Sequence, residues 1–216
     1  CGVKDVMVLD FTLELAKMPA EEFLARHLAS SVSRLPSSVR CGENWRFGAG
    51  GAGDAAFLRS HGIAVDVAPY VEYKGERISS SRIRMALERG EIEDANAMMG
   101  RKFKVQGLRF KGKGLGTDMG YPTVNLKLET LNLKLPLGVY EVEVDGAKGV
   151  ANYGFAPTMG DKAWREPTME IHFLHCPPPP LSSTSVNVGL LRFIRKEMKF
   201  DSIEDLKRQI AADCAT

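Results

Sequence analysis

The hydrophobic pattern of this 216-residue chain changes its period near residue 100. Before that point, apolar runs typical of buried strands alternate with segments in which apolar residues recur at helical spacing. From residue 102 onward the period is two, so that Tyr140, Val142 and Val144 fall on one face of a strand and the glutamates between them on the other. We therefore predict two domains, over residues 1–100 and 101–216.

The first domain has the element order strand, helix, strand, helix, strand, which favours a parallel sheet covered by helices. The predicted strands cover residues 6–9, 38–41 and 63–67, and Pro19 and Asp54 begin the helices between them. Two more helices follow, one after Ile78–Ser81 and one over residues 92–99. Because the chain opens with Cys1 and a strand so soon afterwards, we expect missing sequence upstream.

The second domain combines several short strands with glycine-rich connections, which predicts a small barrel. Asp145-Gly146 is a hairpin turn, and Asp201 or Ser202 caps a last helix. The predicted fold class is α/β plus all-β: an incomplete Rossmann-like α/β domain, then a small antiparallel Greek-key β-barrel with a C-terminal helix.

Residues 112–125 read Gly-Lys-Gly-Leu-Gly-Thr-Asp-Met-Gly-Tyr-Pro-Thr-Val-Asn. The glycines let the backbone approach a ligand closely, and exposed N–H groups can line an anion site. Thr123 and Asn125 add neutral oxygen donors that suit a Mg²⁺ ion sharing phosphate oxygens with a substrate. The glycines alone favour a flexible hairpin loop, whereas the Pro-Thr-Val-Asn ending favours a phosphate site.

Glu170 and His172 fall on the polar face of a strand whose other face carries Met169, Ile171 and Phe173. A carboxylate there is usually a solvated charge, but one that faces the phosphate loop can act as a general base. A zinc site at His172 and His175 is disfavoured, because residues three apart on a strand point to opposite faces.

Two segments of the first domain suggest a second nucleotide site. Asn44 lies directly after a predicted strand, where open α/β sheets bind ligands. Ser80, Ser81 and Arg84 begin a helix and form a plausible phosphate clamp, the alternative being a helix cap with surface arginines.

Composition limits the classes of partner. The net charge of +2, from 29 basic and 27 acidic residues, gives no footprint for nucleic acid or membrane. The four cysteines form no Cys-x-x-Cys pair, which fits a reducing cytoplasm. The sequence does not specify an oligomeric state.

Several motifs, in order, resemble the bacterial bifunctional riboflavin kinase/FMN adenylyltransferase (FAD synthetase) family. The similar segments are Cys41–Gly48, Ile78–Arg84, Met99–Arg101 at the domain junction, Gly120–Leu126 with the kinase signature, Leu135–Tyr140, Met169–His172 with the catalytic glutamate, and Arg195–Phe200. The resemblance covers the whole chain, and it implies that the family's N-terminal part is missing upstream.

The resemblance implies flavin cofactor biosynthesis with ATP, riboflavin and FMN as substrates. The implied ATP-phosphate site comprises Gly112, Lys113, Gly114 and Gly116, with Thr123 and Asn125 on Mg²⁺ and Glu170 as general base. Arg195 and Glu197 would help hold the flavin, the alternative for Arg195 being a salt bridge with Glu197 or Asp201. Asn44, Ser80, Ser81 and Arg84 would form half of an adenylyltransferase site.

Two departures from the family pattern affect these expectations. The His-x-Gly-His loop of the adenylyltransferase is absent, so we expect the chain as given not to make FAD at an appreciable rate. Pro177–Pro180 stand where the family usually has a polar stretch, which bears on flavin affinity. The competing hypotheses are a non-catalytic flavin- or nucleotide-binding remnant and, less favoured, a β-barrel nucleic-acid binder.

Overall fold

The structure is a computed structural model that describes residues 4–29, 36–112, 120–129, 134–155, 167–174 and 184–215. It divides into two compact units, Cys1–Arg77 and Ile78–Thr216. No described helix is long and apolar enough to cross a membrane.

The first unit contains a parallel pair of strands and several short helices. Its elements are α1 (Leu13–Lys17), α2 (Ala20–Phe23) running into a π-helical turn (Leu24–Leu28), β1 (Ser38–Gly42), a 3₁₀ turn (Ala49–Gly51), α3 (Ala55–Ser60), β2 (Ala64–Ala68), β3 (Glu72–Tyr73) and β4 (Glu76–Arg77). The predicted parallel pairing is confirmed, because Val39 of β1 lies opposite Val65 of β2. The Asp54 carboxylate accepts a hydrogen bond from the Phe57 amide at 2.8 Å, which begins α3 as predicted.

The core of the first unit is aromatic. Phe47 is buried between α2 and α3, and the Trp45 ring stacks on it with 4.8 Å between the ring centroids. Gly48 adopts a φ of +72° and lies against the backbone of Ala20, where a β-carbon would collide with the Ala20 backbone. The segment after β1 is therefore tied to the packing of α2.

The predicted buried strand at residues 6–9 is wrong. These residues form no strand, and Val6 and Val8 are 80% and 83% exposed. An apolar run becomes a strand only where a neighbouring strand supplies backbone hydrogen bonds and a face to bury. In the described ranges, β1 and β2 make a sheet of two strands, and residues 6–9 do not join it.

The second unit consists of two helices, a barrel and a last helix. Its elements are α4 (Ser80–Arg89), α5 (Ile92–Met99), β5 (Phe103–Phe110), β6 (Thr123–Leu128), β7 (Gly138–Val144), β8 (Ala147–Gly154), β9 (Thr168–Phe173), β10 (Ser185–Lys196) and α6 (Ile203–Cys214). The predicted bounds of α5 and the predicted Ser202 cap of α6 agree with this structure.

The six barrel strands close in the order β10-β5-β6-β9-β8-β7, and all neighbours are antiparallel. Strands β7, β8 and β9 follow one another by sequence, and β9 returns beside β6, which is the Greek-key arrangement. Alternate residues point inward, and the fully buried core includes Tyr140, Val142, Ile171 and Leu190. The predicted barrel with a C-terminal helix is confirmed.

Helix α5 belongs to the barrel unit through the side chain of Asn96. Its amide nitrogen donates to the Leu190 carbonyl at 2.8 Å, and its amide oxygen accepts from the Phe103 backbone N–H at 2.7 Å. One side chain thus joins α5 to both β5 and β10. The compact unit begins at Ile78, before the domain boundary that we predict at residues 100 and 101, so packing and sequence pattern divide the chain at different points.

A buried ion pair fixes α6 to the barrel. The Arg195 guanidinium at the end of β10 forms two parallel hydrogen bonds with the Asp213 carboxylate, from Nε at 2.9 Å and from Nη2 at 2.7 Å. The Gln209 amide also donates to Asp213, whose side chain is 4% exposed. This bidentate geometry gives α6 a defined position on the end of β10.

Asp213→Asn should destabilise the protein, because it leaves the Arg195 cation without its counter-charge. Removing one partner of a buried pair lowers the free energy of unfolding by about 3 kcal/mol. Urea denaturation followed by circular dichroism measures this change. The matched control is Lys207→Ala on the exposed face of α6, and equal denaturation midpoints for the two variants would contradict the prediction.

Candidate active site

The centre of the site is Glu170, on the outward face of the barrel. Met169, Ile171 and Phe173 of β9 are buried in the core, so Glu170 and His172 between them point outward. This is the shared polar face that the sequence predicts.

Two asparagines flank Glu170. The strand register places Asn125 of β6 directly opposite Glu170 on one side and Asn152 of β8 directly opposite on the other. Side chains in such cross-strand pairs start from β-carbons about 5 Å apart. We call these three residues the polar row, in which the Glu170 carboxylate lies between two amides of neighbouring strands.

Glu170 has the electrostatics of a base. Its side chain is only partly exposed, and burial raises the pKa of its carboxyl above the ordinary value. Among the residues that the structure describes, no cation pairs with this carboxylate to offset the effect. A carboxylate in this setting accepts a proton more readily than one in water.

The start of the glycine-rich segment lies at the Asn125 end of the polar row. The backbone of Gly112 lies so close to the Asn125 amide that a β-carbon there would collide with it unless the Asn125 side chain moved. The rest of the predicted phosphate loop, including Lys113, Gly114 and Gly116, lies outside the described residues. The structure thus brings together Gly112, Asn125 and Glu170, three of the residues proposed from the sequence.

The other end of the glycine-rich segment is held by His172. Its Nδ1 lies 3.1 Å from the Pro122 carbonyl oxygen, to which it donates a hydrogen bond, and its ring meets the edge of Tyr121 with 5.1 Å between centroids. Thr123 lies opposite His172 in the register, and Thr123 and Asn125, two residues apart, share the face of Glu170. This role of His172 is not predictable from the sequence, because only the strand register reveals its place beside Pro122.

The residues proposed to hold the flavin contact different partners in the structure. Arg195 binds Asp213, rather than Glu197 or Asp201, the partners considered from the sequence. The Glu197 carboxylate lies against Gly154 of β8, where a β-carbon would collide with it unless the Glu197 side chain moved. Gly154 is two residues from Asn152, so Glu197 lies on the outward face that carries the polar row.

The proposed adenylyltransferase residues lie in both units. Asn44 is exposed in the turn after β1 of the first unit. Ser80, Ser81 and Arg84 lie in the first turns of α4 in the second unit, whose cap is Ser79, with its hydroxyl accepting from the Arg82 amide at 3.2 Å. Their role in nucleotide binding stays a prediction.

Two family models match the chain: riboflavin kinase over residues 99–216 and FAD synthetase over residues 1–82. The bifunctional riboflavin kinase/FMN adenylyltransferase of Pseudomonas fluorescens is 32% identical over 222 residues, covering 99% of this chain and 70% of its own length. The protein of the same name from Escherichia coli K12 is 33% identical and covers 99% and 69%. The chain belongs to the bifunctional riboflavin kinase/FMN adenylyltransferase family.

A solved structure shows the same fold. The crystal structure of a macrolide-efflux protein from Streptococcus pneumoniae superposes with a TM-score of 0.79 at 28% identity, covering 94% of this chain and 66% of that chain. The predicted resemblance to a bifunctional riboflavin kinase/FMN adenylyltransferase is thus confirmed, together with its α/β and barrel architecture. Members of this family are enzymes of flavin cofactor biosynthesis, and the hypothesis of a non-catalytic remnant is not favoured.

Glu170→Gln should stabilise the protein at neutral and basic pH. Burial raises the folded-state pKa of Glu170, so its charged form opposes folding, and stability falls as the pH rises through that pKa. The amide removes this opposition. We expect the Tm difference, variant minus wild type, to be positive at pH 8 and to vanish as the pH falls below the ordinary glutamate value of 4.5.

The measurement is thermal unfolding between pH 4 and pH 8. Glu143→Gln is the matched control, because Glu143 also points outward from the barrel but is bonded to Lys102 at 2.7 Å and should gain nothing from neutralisation. A Glu170→Gln protein less stable than wild type at pH 8 would contradict the prediction.

Proposed function

We propose that the barrel transfers the γ-phosphate of Mg·ATP to the 5′-hydroxyl of riboflavin, with Glu170 as the general base. The observation that carries this proposal is the polar row, in which a partly buried carboxylate with a raised pKa lies opposite a potential metal ligand. The family relationship supports the substrates, since its members are named riboflavin kinases.

The proposed step moves one proton and one phosphoryl group. Glu170 takes the proton from the riboflavin hydroxyl, and the hydroxyl oxygen forms a bond to the γ-phosphorus. The bond from that phosphorus to the bridging oxygen of ADP breaks, and ADP leaves with the electron pair. The raised pKa of Glu170 suits this role, because a base works best when its pKa approaches the working pH.

Thr123 and Asn125 are the proposed ligands of Mg²⁺. Their hydroxyl and amide oxygens are neutral and project from the same face of β6, and Mg²⁺ accepts one or two such protein oxygens when phosphates and waters complete its shell. The ion would neutralise charge on the transferring phosphoryl group. The phosphates would lie along the segment that starts at Gly112 and continues through Lys113, Gly114 and Gly116.

Glu197 is the better of the two proposed flavin residues. Its carboxylate lies on the outward face near Asn152, while the Arg195 guanidinium is engaged by Asp213. This geometry favours a structural role for Arg195, which orients the end of β10 and thereby Glu197. The Arg195 Nη1 bond to the Lys196 carbonyl at 3.1 Å supports the same role.

For the first domain we propose a part in FMN adenylyltransfer, with Asn44, Ser80, Ser81 and Arg84 as nucleotide-binding residues. The FAD synthetase match over residues 1–82 supports this for Asn44, Ser80 and Ser81, and Arg84 lies just beyond the matched range. A cytoplasmic location is supported by the free thiols of Cys41 and Cys214.

Glu170→Gln should abolish most riboflavin kinase activity while leaving substrate binding nearly intact. A general base contributes about 10²–10⁴-fold to the rate, so we expect kcat to fall by that factor. The assay incubates riboflavin with Mg·ATP and separates FMN by chromatography. The Michaelis constants for ATP and riboflavin should change by less than about threefold, because the amide preserves the shape of the side chain.

The control for this assay is again Glu143→Gln, which should retain wild-type kcat. Full activity in Glu170→Gln would exclude Glu170 as the base. A wild-type chain that binds riboflavin but forms no FMN would exclude the proposed kinase activity itself.

Thr123→Val should raise the Mg²⁺ concentration that supports half-maximal activity. The substitution removes the hydroxyl oxygen and keeps the branched shape. We expect a shift of at least about tenfold, the lower end of the effect seen for residues that only support a metal ligand. Initial rates measured against Mg²⁺ at fixed ATP provide the test, Thr123→Ser should behave as wild type, and identical Mg²⁺ dependence in all three proteins would remove Thr123 from the metal site.

A further inference from the structure

The two flanks of Glu170 differ in what surrounds them. On the β6 flank, Asn125 lies against the backbone of Gly112, where the glycine-rich segment begins. Under the proposed function this flank holds the metal and the triphosphate. The acceptor alcohol must then approach Glu170 from the other flank, because an in-line displacement places donor and acceptor on opposite sides of the transferring phosphorus.

The β8 flank presents one side chain, Asn152. It is exposed, and within the described part of the chain its amide has no hydrogen-bond partner. Asparagine is depleted in strands because it neither packs well nor favours extended backbone. An asparagine opposite a partly buried carboxylate therefore suggests a binding role rather than a contribution to the sheet.

Asn152 has a carboxylate near it along its own strand and a buried apolar side chain opposite it on the next strand. Two residues along β8, the Glu197 carboxylate covers Gly154. On the side away from Glu170, Asn152 lies opposite Val139 of β7, whose side chain points outward and is nevertheless buried. Asn152 is thus the exposed amide between the carboxylates of Glu170 and Glu197.

We propose that Asn152 is the residue that positions the acceptor alcohol, by donating a hydrogen bond from its amide nitrogen to the terminal hydroxyl of the substrate. This inference rests on the proposed kinase function and adds to it a residue that the sequence motifs did not mark. The hydroxyl donates its own hydrogen to Glu170 and accepts from Asn152, so both groups find a partner. The bond from Asn152 fixes the direction of the O–H vector toward the base.

The role of Asn152 can be tested with a substrate that lacks the hydroxyl in question. Wild-type protein and Asn152→Ala are titrated with riboflavin and with 5′-deoxyriboflavin in the presence of Mg·ADP, and binding is followed by flavin fluorescence. The ratio of the two Kd values, deoxy over parent, measures how strongly the hydroxyl is held. A lost neutral hydrogen bond should reduce this ratio about fivefold in Asn152→Ala.

Two further variants separate hydrogen bonding from structure. Asn152→Asp keeps the size of the side chain but cannot donate, so it should lose the same discrimination between the two flavins. Lys148→Ala, on the same strand and the same outward face, should keep the wild-type ratio. For Asn152→Ala, kcat for FMN formation should fall while the KM for ATP stays within about twofold of wild type.

The outcomes distinguish this inference from the kinase proposal. If wild type forms FMN and Asn152→Ala discriminates between the two flavins as wild type does, the role of Asn152 is wrong and the kinase function stands. If wild type forms no FMN, the kinase proposal is wrong, and the inference about Asn152, which rests on it, is wrong as well. A change confined to the KM for ATP would also overturn the inference, because it would place Asn152 on the nucleotide flank.

Discussion

The register among β6, β9 and β8 is the constraint on which the candidate site depends. A shift of one residue in the pairing of β9 would turn Glu170 into the core and bring Met169 or Ile171 to the surface. The fully buried positions of these two apolar side chains therefore hold the carboxylate outward. Barrel closure strengthens the constraint, because the six strands must keep one consistent stagger around the ring.

The same register creates a conflict between stability and chemistry at Glu170. Burial opposes ionisation of the carboxyl, and the described residues offer it asparagine amides rather than a cation. A lysine or arginine at either flank would stabilise the charged form and lower its pKa, and it would thereby weaken the base. Neutral flanking amides carry no charge and so lower the pKa of Glu170 less than a cation would.

How much of this could be predicted from sequence depends on the range of the interaction involved. Period-two alternation placed Glu170 and His172 on one polar face, and the caps at Asp54 and Ser202 were local signals that the structure confirms. Asn152 carried no local signal, because its significance arises from a neighbour on another strand. The strand predicted at residues 6–9 does not form. Its apolar run is a local signal, and such a run does not show whether a pairing partner is present on another strand.

Arg195 and Glu197 show how one short segment can serve packing and chemistry together. Both residues were assigned to flavin binding from their motif, yet Arg195 turns to Asp213 of α6 and Glu197 turns to Gly154 of β8. The register places Arg195 opposite Val139 and Val139 opposite Asn152, so Arg195 and Glu197, two residues apart, both lie on the outward face. On that face the ion pair with Asp213 holds α6 beside Arg195, while the Glu197 carboxylate lies against Gly154. The end of β10 thus carries one side chain that anchors the C-terminal helix and another that stays on the proposed acceptor side of the site.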